Sequence, residues 1–427
     1  MITVLFIGFA VFVIFGMPIA FALGLASVAG MLYHGGFNLV IVVQRMFTAM
    51  DSFSLMAIPF FMLAGSLMDV GGISRRIVNF ANVFVGWITG GLAMVGILGS
   101  MIFASVSGSA VATTAAMGAV LIPPMEEKKY DRGYSAAVIA AAGTIGPIIP
   151  PSIPMVIYGS ITGASIGALF VGGYIPGIMI GLALMTVAYI IAKKRGYPKS
   201  AVGTRKEALT SLMDGSLALF MPVIIIGGIL MGIFTPTESG AVACVYAFVV
   251  GKFIYGELTA KALYQVMRES LMMTTMIMFL VAVASIFGWL LTAENIPRIL
   301  AEFFLSISTN PLVILLMINV MLLILGTFMD CTPAIILVVP VLLPLLQEVG
   351  IDLIHFGVVM VVNLGIGLLT PPVGTCLFVA SRISRLSIVD IVKEIWPFLL
   401  VMTCVLMIIT YVPQTITWLP SVLLPGG

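Results

Sequence analysis

The sequence predicts an all-α polytopic membrane protein of two inverted-topology repeats, each with a re-entrant helical hairpin and a broken helix. Three observations predict it. The chain of 427 residues is 61% hydrophobic and only 8% charged, with mean hydropathy +1.24, too little polar surface for a water-soluble fold. Its two halves echo each other motif by motif. At matching places in both halves, an apolar run is interrupted by proline and glycine: "GTIGPIIPPSIP" from Gly143 and "NLGIGLLTPP" from Asn363. Proline has no backbone N–H and blocks the carbonyl one turn back, so neither run can be continuous helix.

The repeat is read from matches in register. "GGISRRIVNF" resembles "ENIPRILAEF", pairing Arg75 with Arg298, and at the same separation "SVSGSA" meets "FMDCTP", pairing Ser107 with Asp330. Pro151 pairs with Pro372 and Pro176 with Pro397 at a second common separation, and Pro18 faces Pro236. The first repeat divides into scaffold spans and an amphipathic arm at 1–90, then a hairpin, broken helix and final span at 91–192. A polar linker occupies 193–214. The second repeat runs likewise over 215–310 and 311–412, leaving a tail at 413–427. Met1-Ile2 opens an apolar span with no basic leader or small-residue cleavage site, so the first span is read as retained.

Each half starts with two short apolar spans, then an amphipathic stretch and a full span of about 20 residues, the length that crosses a bilayer. "ELTAKALYQVMRES" reads as a brace for the fixed block. The stretches at 72–87 and 296–309 read as interfacial helices, with arginine reaching headgroups and Phe80, Trp87 and Phe304 facing the acyl boundary. Basic residues set the orientation. Lys193, Lys194, Arg195, Lys199, Arg205 and Lys206 place the linker in the cytoplasm. Arg75, Arg76, Lys128, Lys129, Arg132, Arg382, Arg385 and Lys393 then land inside, and both termini outside. Arg45 and Arg298 are minor violations.

Between Gly91 and Met125 a single crossing would break these assignments, whereas a hairpin with its tip at Ser105 to Ser109 keeps them. The second hairpin, about 311–346, has its tip at Gly326 to Thr332. Irregular backbone survives at membrane depth only where protein or water covers it, so the tips and breaks should meet at one protein-lined cavity. Freed carbonyls are hard oxygen ligands for a small cation, and half-helix N-termini suit an anion. The cation candidates are Ser105, Ser107, Gly108, Gly143, Thr144, Gly146 and Pro147 in the first repeat. In the second they are Gly326, Thr327, Met329, Asp330, Asn363, Gly365, Gly367 and Thr370. Ser107, Ser109, Ser165, Asp330, Thr332, Pro151 and Pro372 are the substrate candidates. Asp330 is a carboxylate in an apolar setting, costly unless paired or facing a cavity, and it also stands where a helix cap belongs. Glu238 in "TPTESG" is a scaffold or partner-contact candidate at a helix start. Asp69 is read the same way.

Other classes are excluded. There is no GxxxxGK[ST] for ATP hydrolysis and no HExxH, and a net charge of +2 without a basic block argues against nucleic acid. Cys244, Cys331, Cys376 and Cys404 lie in apolar segments without CxxC spacing and read as packing thiols. His34 and His355 read as surface residues at loop edges. An intramembrane hydrolase using Ser109 or Ser165 with His355 is therefore a remote alternative, and no organic cofactor is expected.

"SVSGSAVA", "GTIGPIIPPSIP", "TPTESGAVA", "GTFMD" and "LLTPPVGT" resemble, in order and across essentially the whole chain, the large membrane (M) subunit of tripartite ATP-independent periplasmic (TRAP) transporters. That family is similar in fold to the divalent-anion/sodium symporters. The resemblance implies a scaffold and a transport domain moving as an elevator, with Na+, two or more ions, bound at the hairpin tips and helix breaks. It implies a small four-helix membrane subunit, a periplasmic substrate-binding protein, and the bacterial inner membrane. It implies sodium-coupled import of a small organic acid, sialic acid first and C4-dicarboxylate next. The alternative is a cation-coupled anion symporter that needs no binding protein.

Overall fold

The computed structural model describes residues 1–199 and 205–424. The expected linker falls partly on 200–204, outside the described residues. The first repeat comprises α1 (Ile2–Ile14), α2 (Ile19–His34), α3 (Val40–Met50), α4 (Ala57–Val70), α5 (Ile73–Val85), α6 (Gly91–Ser107), α7 (Ala110–Glu127), α8 (Arg132–Gly143), α9 (Ile153–Thr162) and α10 (Ile166–Arg195). The second comprises α11 (Arg205–Leu230), α12 (Pro236–Val249), α13 (Ala260–Ala293), α14 (Ile296–Ile307), α15 (Pro311–Gly326), α16 (Cys331–Val349), α17 (Leu353–Gly367), α18 (Thr375–Ser384) and α19 (Ile388–Tyr411). The expected tail is mostly α20 (Gln414–Leu423), which packs on α10 and α17.

The repeats match element by element: α1 with α11, α2 with α12, α5 with α14, α6–α7 with α15–α16, α8–α9 with α17–α18, and α10 with α19. One element differs. α3 and α4 are bent by 64° at their junction, whereas "ELTAKALYQVMRES" does not stand apart but opens the continuous α13. The reason is local: "DSF" at 51–53 interrupts the first copy, while Ala, Leu, Met and Thr carry the second through without a breaker.

Among the described residues, six helices are long and apolar enough to span a membrane, or seven with the bent pair. Most hairpin arms and half-helices are too short for this, including α6, α9, α15, α17 and α18. That is what re-entrant and broken elements require. α1–α4 and α11–α13 pack together as one block, with α12 on α4 and α13 on α2, α3 and α4. In the other block the repeats interlock: hairpin arm α7 packs on α8 and α18, and arm α16 packs on α9 and α17. The arms α5 and α14 lie between blocks, α5 on α6 and α11, α14 on α16 and α13.

Sidedness is internally consistent. Three loops expected on the cytoplasmic side meet at one end: Arg195 pairs with Glu394 at 2.7 Å, and Tyr130 stacks on Tyr197 with centroids 4.4 Å apart. Burial pushes the Tyr130 phenol up to about 12, so it remains an O–H donor, here to the Pro198 carbonyl at 3.1 Å. Two ends expected outside also meet, the Tyr158 hydroxyl donating to the Leu353 carbonyl at 2.8 Å.

Two expectations for the arms need correction. Phe304 is only 4% exposed, while its neighbour Phe303 is 58% exposed; packing of α14 on α16 turns Phe304 inward. Arg76 does not reach out to headgroups but pairs with Glu257 at 2.8 Å and lies over the Tyr255 ring. Arg298 pairs along its own helix with Glu302. Trp87 is exposed as expected. All four cysteines are free.

Candidate functional site

The hairpin tips and helix breaks do meet. A cavity of about 470 Å³ is lined by tip 1 (Ser107, Gly108, Ser109), tip 2 (Asp330, Cys331, Thr332), break 1 (Pro147, Ile153, Pro154) and Leu368 of break 2. Phe103 and the first turns of α7 add to this side, and the opposite wall comes from the other block: Met62, Gly65, Ser66 and Asp69 on α4 and Met273, Met276 and Ile277 on α13. Ligand sites typically occupy about 300–1,000 Å³.

Each tip is shaped by its local sequence. Gly108 ends α6 in the left-handed region at φ +62, and a Cβ there would fall 2.5 Å from the Pro151 carbonyl oxygen. Only glycine satisfies both conditions. Ser109 then caps α7, accepting from the Ala112 N–H at 3.4 Å. Ser107 and Thr113 share a hydrogen bond of 2.9 Å, and Thr113 donates to the Ser109 carbonyl at 2.8 Å. Break 1 fits beneath this tip because it lacks side chains: a Cβ on Gly146 would meet the Ser109 carbonyl oxygen at 2.5 Å, and one on Gly143 would meet the Thr114 hydroxyl. Ser152 caps α9 and donates to the Pro147 carbonyl.

Tip 2 is built similarly with different chemistry. Asp330 caps α16, accepting from the Cys331 N–H at 2.7 Å, so its capping and cavity-lining roles coexist. Gly326 lies backbone to backbone against Gly367, and the Val373 N–H donates to the Thr327 carbonyl at 3.1 Å. The two breaks also touch, since a Cβ on Gly365 would sit 3.6 Å from the Thr144 carbonyl oxygen. Peptides Pro150–Pro151 and Pro371–Pro372 are both cis.

The cation candidates divide by what they bond. The hydroxyls of Ser105, Thr144, Thr327 and Thr370 each donate back to a carbonyl of their own helix, leaving only their lone pairs for a ligand. Met329 lies beside Asp330 at the tip, half-buried. Asn363 is fully buried, and its Nδ2 donates to Asn319 Oδ1 at 2.8 Å; the Asn319 Nδ2 in turn donates to the Thr410 hydroxyl at 3.0 Å. The Asn363 Oδ1 is itself left without a hydrogen-bond partner. A buried oxygen without a partner, one turn before Gly367, is a hard donor group that the protein itself does not satisfy.

Three of the substrate candidates, Ser165, Pro151 and Pro372, do not line the cavity. Ser165 caps α10, accepting from the Ala168 N–H. Pro151 lies behind tip 1 with its carbonyl over Gly108, and Pro372 is likewise absent from the lining. Glu238, the scaffold or partner-contact candidate, is the third residue of α12, on the scaffold, in a reciprocal cap with Thr235. His355 is not at the surface: it is buried, with its Nε2 2.9 Å from the Ile409 carbonyl oxygen. Neither Ser109 nor Ser165 therefore has it as a base. His34 is exposed, stacked on Phe37.

Most of the residues that the sequence reading did not place at the site are on the scaffold side. Asp69 is not at a helix start but in the last turn of α4, open to the cavity and accepting from Ser74 on α5. The rule that singled out Asp330, a carboxylate in an apolar span, applies equally to it. Ser66, Asn319 and the methionines of "LMMTTMIM" carried no comparable signal.

Two inverted repeats with interlocked hairpins and broken helices around one cavity define a polytopic fold of the membrane-transporter kind. Over residues 6–415 the chain matches the family model of the tripartite ATP-independent periplasmic transporter, DctM component, and it belongs to that family. It is 46% identical over 412 residues to the isethionate TRAP transporter permease protein DctMQ of Oleidesulfovibrio alaskensis, covering 96% of this chain and 65% of that one. It therefore spans about two thirds of that relative. It is 41% identical to the sialic acid TRAP transporter large permease protein SiaM of Vibrio cholerae, covering 96% of both chains. It is 43% identical to the 2,3-diketo-L-gulonate TRAP transporter large permease protein YiaN of Escherichia coli, covering 94% of both. In fold it resembles the YdaH transporter of Alcanivorax borkumensis, with a TM-score of 0.61 at 14% identity, covering 89% of this chain and 88% of that one. The chain is thus a multi-pass permease component of a tripartite transporter and not an enzyme.

Proposed function

We propose that this chain imports a small organic anion across the bacterial inner membrane in symport with sodium, its hairpin-bearing block sliding as an elevator against the scaffold. The observation that carries this reading is the single cavity walled by both tips, both breaks and the scaffold helices α4 and α13. Tip and break carbonyls, with the unpartnered Asn363 Oδ1, are the oxygen donors sodium favours over softer ligands. The anion is received by the N-terminal turns of α7 and α9, whose N–H groups have no partner within the helix. Sodium orders the tips and completes the anion site, so that a half-filled site does not cross.

A periplasmic binding protein delivers the substrate, a small membrane subunit packs on the scaffold, and both termini face the periplasm. Sialic acid is the first candidate substrate and a C4-dicarboxylate the next; relatives are also named for isethionate and 2,3-diketo-L-gulonate. The test is uptake by vesicles containing both membrane subunits, with binding protein and candidate acids, under imposed sodium or proton gradients. Uptake that follows a proton gradient and ignores sodium refutes the coupling. Uptake by this chain alone supports a stand-alone symporter instead.

A further inference from the structure

We propose that Asp69 is a specificity residue, admitting organic monoanions that carry hydroxyl or other hydrogen-bond donors away from their charge and turning away dianions. This rests on the cavity being the anion site, as proposed above, and removes the C4-dicarboxylate from the candidate substrates named there.

The cavity is electrostatically lopsided. Among its described lining residues there is no lysine, arginine or histidine, and there are two carboxylates, Asp69 and Asp330. Its attraction for an anion therefore comes from helix N-termini. Those of α7 and α9 are capped by neutral hydroxyls, Ser109 and Ser152. That of α16 is capped by Asp330, whose negative charge opposes the potential of its own helix. One side of the cavity can thus hold an anionic group, while the other repels a second one.

Asp69 adds to that repulsion from the scaffold. Ser74, in the first turn of α5, donates to its Oδ1, fixing one oxygen and leaving Oδ2 as an acceptor. An ionised carboxylate has only acceptors, so what meets it must be a hydroxyl, amide or ammonium. The nearest arginine in sequence with fixed partners, Arg76, is committed to Glu257 and the Gly72 carbonyl and lies over Tyr255. Sodium at tip 2 would neutralise Asp330, but Asp69 is on α4, outside both tips and both breaks. Asp69 is therefore the charge that discriminates in the loaded state.

The test uses the full chain with its small membrane subunit in detergent at pH 8, in sodium chloride. Thermal-shift titrations with gluconate, isethionate and N-acetylneuraminate, and with succinate as the dianion, give apparent affinities. At least one hydroxylated monoanion should bind about tenfold or more tighter than succinate, or about 1.4 kcal/mol. Asp69→Asn and Asp69→Ser should each narrow that gap by about tenfold, chiefly through tighter succinate binding. Succinate binding as tightly as every monoanion in the unaltered protein overturns the proposal. So does an unchanged gap in both substitutions, and so does the absence of any anion response. Should both substitutions unfold the protein, the ranking in the unaltered protein decides alone. Stabilisation by sodium chloride over choline chloride, without anion, is read separately. Its absence alongside the expected anion ranking refutes sodium coupling and leaves the role of Asp69 standing.

Discussion

Gly367→Ala is the sharpest test of how tip 2 and break 2 hold together. A Cβ at this position would lie 2.6 Å from the Cα and carbonyl carbon of Gly326 and 2.7 Å from its carbonyl oxygen. Ordinary contact begins at 3.4 Å, so the added methyl is too close by roughly 0.8 Å, and the atoms it meets are backbone that cannot rotate away. The tip must shift, straining the bond from the Val373 N–H to the Thr327 carbonyl. Overpacking of this kind costs about 1–3 kcal/mol. If that cost falls on the cation-loaded arrangement, the sodium concentration for half-maximal uptake rises about 5- to 160-fold. The assay is substrate uptake in vesicles against sodium concentration, with thermal stability of the purified chain alongside. Gly227→Ala is the control, since nothing lies within 4 Å of a Cβ there. An unchanged sodium dependence in Gly367→Ala, with full expression, refutes the claim that this backbone contact shapes a cation site.

Asp330→Asn should keep α16 capped, because asparagine caps as well as aspartate, yet weaken sodium dependence; equal stability with an unchanged sodium response removes Asp330 from the cation site. Asn363→Leu should unpair Asn319, costing about 1–3 kcal/mol in stability, and should abolish sodium-induced stabilisation, read by thermal shift with and without sodium. Ser165→Ala should lower stability by about 1 kcal/mol through its lost cap and leave substrate affinity unchanged, as an uptake titration would show.

Much of the fold was legible because membrane depth leaves few options. Proline clusters had to break helices, and broken backbone had to be covered, so both hairpins and both breaks are where "SVSGSA", "GTFMDCT" and the two proline runs put them. The assignment of single side chains was less legible. Ser165, Pro151 and Pro372 share the residue types of a site, but sequence does not show which side of a tip a residue faces. Phe303 and Phe304 show the same limit: adjacent phenylalanines on one amphipathic helix, opposite environments. Asp69, read only as a scaffold or partner-contact candidate, was not placed at the cavity for another reason. The argument tied function to irregular backbone, and Asp69 lies on regular helix, reaching the cavity only because α4 packs against tip 1 at Gly65, where a Cβ would sit 3.1 Å from the Ser107 Cα.

The interlocking of the repeats explains how distant ligands can be coupled without any long-range wire. Each hairpin packs on its own repeat's broken helix and on the second half of the other's, α7 on α8 and α18, α16 on α17 and α9. On the sodium symport proposed above, a cation that ordered tip 1 would also bear on α18, beyond break 2, and one that ordered tip 2 would bear on α9, whose start lines the cavity. Coupling of this kind would be reciprocal, so bound anion would tighten sodium by the same factor that sodium tightens the anion. Two hairpins each confined to its own repeat would have no such obligation.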